Sequence, residues 1–213
     1  MKRLEVAVIG GILLIAAGIL FLLQNLGIIG PGIALVWALL FVAGGAIFLY
    51  VFLSNRTQWW AVIPGFALLG IGALIAISQL APGLEAWGGA LFLGGLGAAF
   101  WVVYLTNREY WWAVIPGGVL ITLALVAGLS SLLEGIDVSG VFFLGLAATF
   151  GLLSFIRTPE GRLKWALIPA IVMLVMGLAM TAFSASLVKY LWPLALIGGG
   201  IFLIVRMMRS KNS

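Results

Sequence analysis

The 213-residue chain contains no cysteine and no histidine. Without cysteine it has no disulfide framework, no thiolate nucleophile and no cysteine-based metal site. Without histidine it lacks the commonest metal ligand and the side chain that normally titrates near neutral pH. Charged residues are scarce too, at 8% of the sequence, whereas soluble domains carry about 25%. Because these absences remove most catalytic chemistry, we predict no enzyme activity, no catalytic residue, no cofactor and no bound metal.

Hydrophobic residues make up 64% of the chain, and the mean hydropathy is +1.28. A helix that spans a bilayer needs about 20 mostly apolar residues. The first such run is longer than the roughly 7 to 15 apolar residues of a signal peptide, so we count it as a span. We therefore predict an all-α polytopic membrane protein, a single transmembrane domain over residues 1–213, with eight helices at approximately 4–23, 33–53, 59–78, 87–105, 111–131, 138–156, 164–183 and 187–207.

Basic residues near the ends of the predicted helices fall almost entirely on one side of the membrane. Lysine and arginine near helix ends are retained in the cytoplasm, so we predict that this side and both termini are cytoplasmic. Lys189 is the one basic residue on the other side. The net charge of +5 then needs no nucleic-acid partner, and we predict a multi-pass protein of the cytoplasmic membrane in contact with lipid. The ten basic residues on the predicted cytoplasmic side are Lys2, Arg3, Arg56, Arg108, Arg157, Arg162, Lys164, Arg206, Arg209 and Lys211.

One motif recurs at a spacing of 52 residues. The run NRTQWWAVIPG from Asn55 returns as NREYWWAVIPG from Asn107, and RLKWALIPA from Arg162 is a weaker copy. Internal repeats of this period indicate that the fold is built from similar units. Each unit holds two predicted spans, so the units share one orientation and are parallel helical hairpins. The four predicted repeat units are approximately 1–54, 55–106, 107–157 and 158–213.

Tryptophans lie at the predicted cytoplasmic ends of several helices. The ring is apolar and its N–H is polar, so tryptophan is enriched where the membrane meets water. We predict that these residues are interface anchors; the alternative is that the exposed tryptophan pairs recognise a partner. The residues are Trp59, Trp60, Trp111, Trp112 and Trp165.

Small residues recur inside the predicted helices, and on the fourth helix they are spaced four apart, which places them on one face. Such faces let helix backbones approach closely, which favours association where lipid removes the hydrophobic drive. We predict that these small residues let helices of one chain pack together. The alternative is that they form an interface between copies in a homo-oligomer. The residues are Gly44, Gly45, Ala90, Gly94, Ala98, Gly198 and Gly199.

The predicted spans carry no Asp, Glu, Lys or Arg at mid-membrane depth, where such a residue indicates a proton relay, an ion path or a substrate site. The polar residues there are threonines such as Thr122 and Thr149, whose hydroxyls can bond a backbone carbonyl one turn earlier. Glu134 and Asp137 on one predicted outer turn could share a calcium ion, although carboxylates on a short turn are more often solvated. The pattern favours an interaction protein, with a small-solute or lipid transporter as the alternative.

A family resemblance is carried by the first and last units. The run GILFLLQNLG from Gly18 ends one predicted span, and Trp192-Pro193-Leu194 begins the last one, which closes at Arg206. This pattern resembles the LiaI/LiaF-like transmembrane region of bacterial membrane proteins. The resemblance implies a non-catalytic sensor accessory or scaffold of the bacterial cell membrane that acts through helix contacts in cell-envelope stress signalling. It also implies a membrane-protein partner such as a sensor kinase.

Overall fold

The computed structural model describes residues 32–81, 83–133, 138–158 and 161–182, with isolated positions between residues 8 and 27 and at 196–197. The structure is almost entirely helical (86%), which confirms the all-α class. Short 3-10 turns, Trp59–Ala61, Trp111–Ala113 and Lys164–Ala166, precede the second, fourth and sixth helices. The helices of the continuous ranges are α1 Ile33–Ser54, α2 Val62–Leu80, α3 Glu85–Thr106, α4 Val114–Leu132, α5 Ser139–Phe155 and α6 Leu167–Ala182.

Five of these helices, taken with a preceding 3-10 turn where one exists, are long and apolar enough to cross a membrane. The chain is therefore a multi-pass membrane protein by the length and composition of its helices. Helix α5 is apolar but has 17 residues, fewer than the about 20 that a span usually needs. Between residues 33 and 182 the helices, counted from the preceding 3-10 turn where one exists, begin and end within two residues of the predicted bounds. The predicted first and eighth spans lie largely outside the described residues.

The asparagine of the repeated motif forms the same turn in both complete copies. The Asn55 side-chain oxygen accepts a hydrogen bond from the Thr57 backbone N–H at 3.0 Å, and Asn107 accepts one from the Glu109 N–H at 2.9 Å. Asparagine favours such turns because its short side chain can bond the backbone two residues on. The backbone N–H three residues after each asparagine bonds the asparagine carbonyl at 3.0 Å, which leads into the tryptophan turn.

The proline of the motif is the third residue of the α-helix that follows, at Pro64 in α2, Pro116 in α4 and Pro169 in α6. Backbone N–H groups in the first turn of a helix have no acceptor within that helix. A proline, which lacks this N–H, therefore costs little there. The 3-10 turn before each helix places the proline at a helix start and not in a helix interior.

The turn before α6 is built differently. Arg157–Thr158 and Gly161–Arg162 form a two-residue antiparallel pair, and the Thr158 hydroxyl donates to the Gly161 carbonyl at 2.8 Å. Gly161 has φ +117°, a conformation that glycine adopts readily and other residues rarely do. The weaker third copy of the motif has no asparagine, and this small hairpin takes the place of the asparagine turn.

Consecutive helices pack antiparallel in a row. Within the described ranges, each helix makes its extensive contacts with the helices next to it in sequence. The most extensive contacts join α1 to α2, α3 to α4 and α5 to α6, the pairs connected by the motif-bearing turns. The repeat units read from the sequence instead group α2 with α3 and α4 with α5, which contact each other less extensively. The pairs of helices that pack most closely are thus shifted by one helix relative to the pairs that form the sequence repeats.

One close backbone contact recurs in these pairs. A Cβ added to Gly45 would lie 2.8 Å from the Gly65 carbonyl oxygen, and a Cβ added to Gly97 would lie 3.1 Å from the Gly117 carbonyl oxygen. In these two pairs a side chain at either position would push the helices apart. The equivalent positions of α5 and α6 hold the small buried residues Ala147 and Ala170.

Candidate interaction surface at the basic end

The three motif-bearing turns lie at the same end of the helix row because the helices alternate in direction. We call this the basic end, residues 55–61, 107–113, 156–158 and 161–166. The described residues at the opposite end, 81–84 and 133–138, carry no lysine or arginine. The described cations of the basic end are all exposed; they are Arg56, Arg108, Arg157, Arg162 and Lys164.

The tightest packing of the described chain lies just beneath the basic end. Two clusters form there, one that contains Phe52 and Val62 and one that contains Val114 and Leu153. Since well-packed side chains have little freedom to lose, the basic end is a preorganised surface. The side chains with no exposed area are Ala61, Val62, Ala99, Val103, Ala113, Val114, Leu153 and Ala166.

Aromatic rings connect neighbouring turns. The ring of Trp59 lies 4.9 Å from that of Tyr110 and 5.6 Å from that of Trp112, centroid to centroid. Edge-to-face pairs recur beneath each turn at 6.0, 6.3 and 6.5 Å. Such pairs contribute about 0.5 to 1.5 kcal/mol beyond the area they bury. The recurring pairs are Phe48–Trp60, Phe100–Trp112 and Phe150–Trp165.

The five tryptophans predicted as interface anchors differ in exposure. Trp60 and Trp165 are exposed, at 48% and 49% of their surface. The Trp60 Nε1–H donates to the Gln58 side-chain oxygen at 2.6 Å, which fixes the direction of the ring. Trp59, Trp111 and Trp112 are partly buried against the two clusters. The first and third turns therefore each present one large apolar ring to the surroundings.

Two arginines of the basic end lie over aromatic rings four residues earlier. The Arg56 Cζ is 4.4 Å from the centroid of Phe52, and the Arg108 Cζ is 4.5 Å from that of Tyr104. A cation within about 6 Å of a ring face is attracted to it. The ring restrains the guanidinium without neutralising it, so the charge stays available to an anion.

The small residues predicted to pack helices occupy several environments. Gly45 lies tightly against α2, whereas Gly44 has looser contact with the same helix. Gly94 and Ala90 both face α4, and Ala98 is partly exposed. Gly198 and Gly199 lie outside the described residues.

Clefts open on the surface of the described helix row. One of about 310 Å³ lies between α5 and α6 and has an apolar lining that includes Leu144 and Ile171. Another, of about 430 Å³, lies at the basic end and is lined by Arg56, Val102, Leu105 and Thr106. The second cavity combines a cation with an apolar wall.

Metal ligands do not converge in the described ranges, where no group of three or more acidic, cysteine or histidine residues could hold an ion. Glu134 and Asp137, the carboxylates considered for calcium, lie outside those ranges.

No known protein-family model, curated protein or solved structure matches this chain. The basic end itself offers exposed aromatic rings, exposed cations and a cleft, on a support of buried alanine, valine and leucine side chains.

The sequence located the tryptophans and arginines of the basic end but not the rings beneath them. The arginine contacts could have been predicted from the sequence. Phe52 and Arg56 are four residues apart, and so are Tyr104 and Arg108. Residues with this spacing share a helix face. The phenylalanines that meet the exposed tryptophans give no such signal, since they lie on the preceding helix.

Proposed function

We propose that this chain is a non-catalytic scaffold of the bacterial cytoplasmic membrane that binds a second membrane protein through its basic end. The observation that carries the proposal is the pairing of two exposed rings, Trp60 and Trp165, with exposed cations on a densely packed support. Tryptophan and arginine are enriched among the residues that contribute most to protein interfaces. A surface that is already packed also loses little conformational freedom on binding.

The proposed architecture is eight spanning helices in four parallel hairpins of about 52 residues, with both termini in the cytoplasm. The equal turns at Asn55 and Asn107 support a repeated unit, as does the phenylalanine–tryptophan contact that recurs in three helix pairs. The five cations at the basic end support its cytoplasmic position, because basic turns are retained on that side.

The partner is expected to present an acidic segment close to the membrane surface. The third turn carries the exposed cations Arg157, Arg162 and Lys164 together with the exposed Trp165, and complementary charge would orient an acidic segment there. The cytoplasmic segment that follows the last span of a sensor kinase would suit this surface. The LiaI/LiaF-like resemblance adds cell-envelope stress signalling as the setting.

Photocrosslinking in living cells tests this proposal. A photoreactive amino acid replaces Trp60 in one strain and Trp165 in another. Leu80, 68% exposed at the opposite end of the row, provides the control position. We expect the same membrane protein to be captured from Trp60 and Trp165 and not from Leu80, with less capture after Arg162→Glu. Adducts with lipid alone, or with a second copy of this chain alone, would contradict the proposal.

A further inference from the structure

The cleft of about 430 Å³ at the basic end brings together two separate parts of the chain. Arg56 comes from the turn after α1, whereas Val102, Leu105 and Thr106 come from the last five residues of α3. The volume falls within the roughly 300 to 1,000 Å³ of small-molecule sites. The cleft is therefore large enough for part of a small amphipathic ligand.

The cleft lies where the hydrocarbon of a bilayer gives way to headgroups. Helices α1 and α3 each have 22 residues, which is about 33 Å at about 1.5 Å per residue and close to the roughly 30 Å hydrocarbon core. Thr106 is the last residue of α3, and Arg56 lies two residues past the end of α1. Val102 and Leu105 thus face the hydrocarbon edge, and Arg56 lies at headgroup depth.

An aromatic ring orients the charge of Arg56. Its guanidinium lies over the Phe52 ring, and no carboxylate among the described residues pairs with it. Glu109, the described acidic residue of the basic end, is hydrogen-bonded to Asn107 in the neighbouring turn. A guanidinium has five N–H donors in a planar fork that matches phosphate oxygens. Arg56 is accordingly equipped to bind an anionic oxygen group at headgroup depth.

We propose that this cleft binds an anionic phospholipid, with Arg56 at the phosphate oxygens and an acyl chain along Val102 and Leu105. Free phosphate would satisfy the guanidinium but would leave the apolar wall exposed. A lipid satisfies both, since its phosphate and its chain are joined at the depth where the cleft changes from polar to apolar. The Thr106 hydroxyl, which donates to the Val102 carbonyl at 2.8 Å, is neutral and leaves the charge of Arg56 available to the phosphate.

The proposal is tested by titrating the purified full chain with phosphatidylglycerol. Native mass spectrometry measures how much lipid the protein retains. Arg56→Gln should weaken retention about five- to tenfold, because one charge-assisted phosphate contact is lost. Arg108→Gln is the matched control, since Arg108 holds the equivalent place over Tyr104. We expect less than about a twofold change there. Equal losses in both variants would show a general charge effect and overturn the site.

A second variant leaves the charge in place. Leu105 is 58% exposed, so Leu105→Trp should fill the cleft without disturbing the fold. Retention of phosphatidylglycerol should fall as in Arg56→Gln, and phosphatidylcholine should be retained weakly by all forms. Millimolar inorganic phosphate should not displace the lipid; displacement would assign the site to free phosphate. Unchanged retention in Leu105→Trp would overturn the proposal.

Discussion

Gly118 of α4 lies directly against Thr149 of α5, and a Cβ at residue 118 would overlap the threonine side chain. The contact is reciprocal, because Gly145 of α5 faces Thr122 of α4 in the same way. The two threonines are only 3% and 4% exposed, and the Thr149 hydroxyl donates to the Gly145 carbonyl at 2.9 Å. Each glycine therefore makes room for a branched side chain, and the interface packs closely without a charged group.

Replacement of Gly118 by alanine should destabilise the protein. The added methyl would meet Thr149, and overpacking of this kind costs about 1 to 3 kcal/mol. Unfolding in mixed detergent micelles, followed by circular dichroism, measures the change. Thr149→Ala in the same chain should recover part of the loss. Gly89→Ala is the control, since nothing lies near that position, and it should cause no loss.

Helix α3 offers a matched pair of glycines for a second measurement. An added Cβ at Gly97 would lie 2.8 Å from an Ile121 side-chain carbon, whereas Gly95 has open space. Gly97→Ala should therefore lower the free energy of unfolding by about 1 to 3 kcal/mol, while Gly95→Ala should not lower it. Similar unfolding curves for the two variants would contradict the close α3–α4 contact.

Gly94 distinguishes packing inside the chain from a seam between copies. An added Cβ there would lie 3.6 Å from the Ala124 Cβ, so alanine fits but isoleucine does not. Gly94→Ile should lower the yield of folded protein in detergent, as size-exclusion chromatography would measure, and Gly94→Ala should leave it unchanged. An unchanged yield for Gly94→Ile together with loss of crosslinked dimers would place this face between subunits instead.

Trp59 and Trp60 should contribute differently to stability although they are adjacent. Trp59 packs on Tyr110 and Trp112 of the next turn, so Trp59→Ala should cost about 2 kcal/mol. Trp60 is exposed, and Trp60→Ala should cost about 1 kcal/mol or less. Thermal unfolding in detergent compares the two. A larger loss for Trp60 would contradict the assignment of Trp59 to the packed layer.

The absence of cysteine makes the membrane orientation directly measurable. A single cysteine at Thr57, in the first turn of the basic end, or at Leu84, at the opposite end, would be the sole thiol of the chain. A membrane-impermeant maleimide added to intact cells should label Leu84→Cys, and should label Thr57→Cys only after permeabilisation. Labelling of Thr57→Cys in intact cells would place the basic end outside.

The helix positions could be predicted from the sequence because each apolar run is bounded by polar or glycine-containing turns. Which neighbouring helices pack most closely could not be predicted. A helix of a soluble protein shows its buried face through its polar face, but α1 and α3 are apolar all round. Of the adjacent pair Gly44 and Gly45, only the second meets α2 tightly. The two residues differ because successive residues of a helix point about 100° apart around its axis. Composition does not show which of the two faces α2.

The cleft at Arg56 illustrates a similar limit for the site. The positions of its arginine and its apolar residues are visible in the sequence, yet Arg56 and Thr106 are 50 residues apart. They meet because α2 and α3 pack side by side, with Gly70 and Gly88 close to Phe92 and Leu74. The two residues are close because of the way the helices pack, so no local sequence pattern predicts their proximity.

The order of the helices in the row also has a consequence for assembly. Because the extensive contacts of the described ranges join helices next to each other in sequence, each helix can meet its neighbour as soon as it has been synthesised. Chains with such local contacts fold without the cost of closing long loops. In repeat arrays, a unit can be gained or lost while contacts elsewhere persist. A duplication or deletion of one 52-residue stretch would thus change the width of the row and preserve its remaining interfaces.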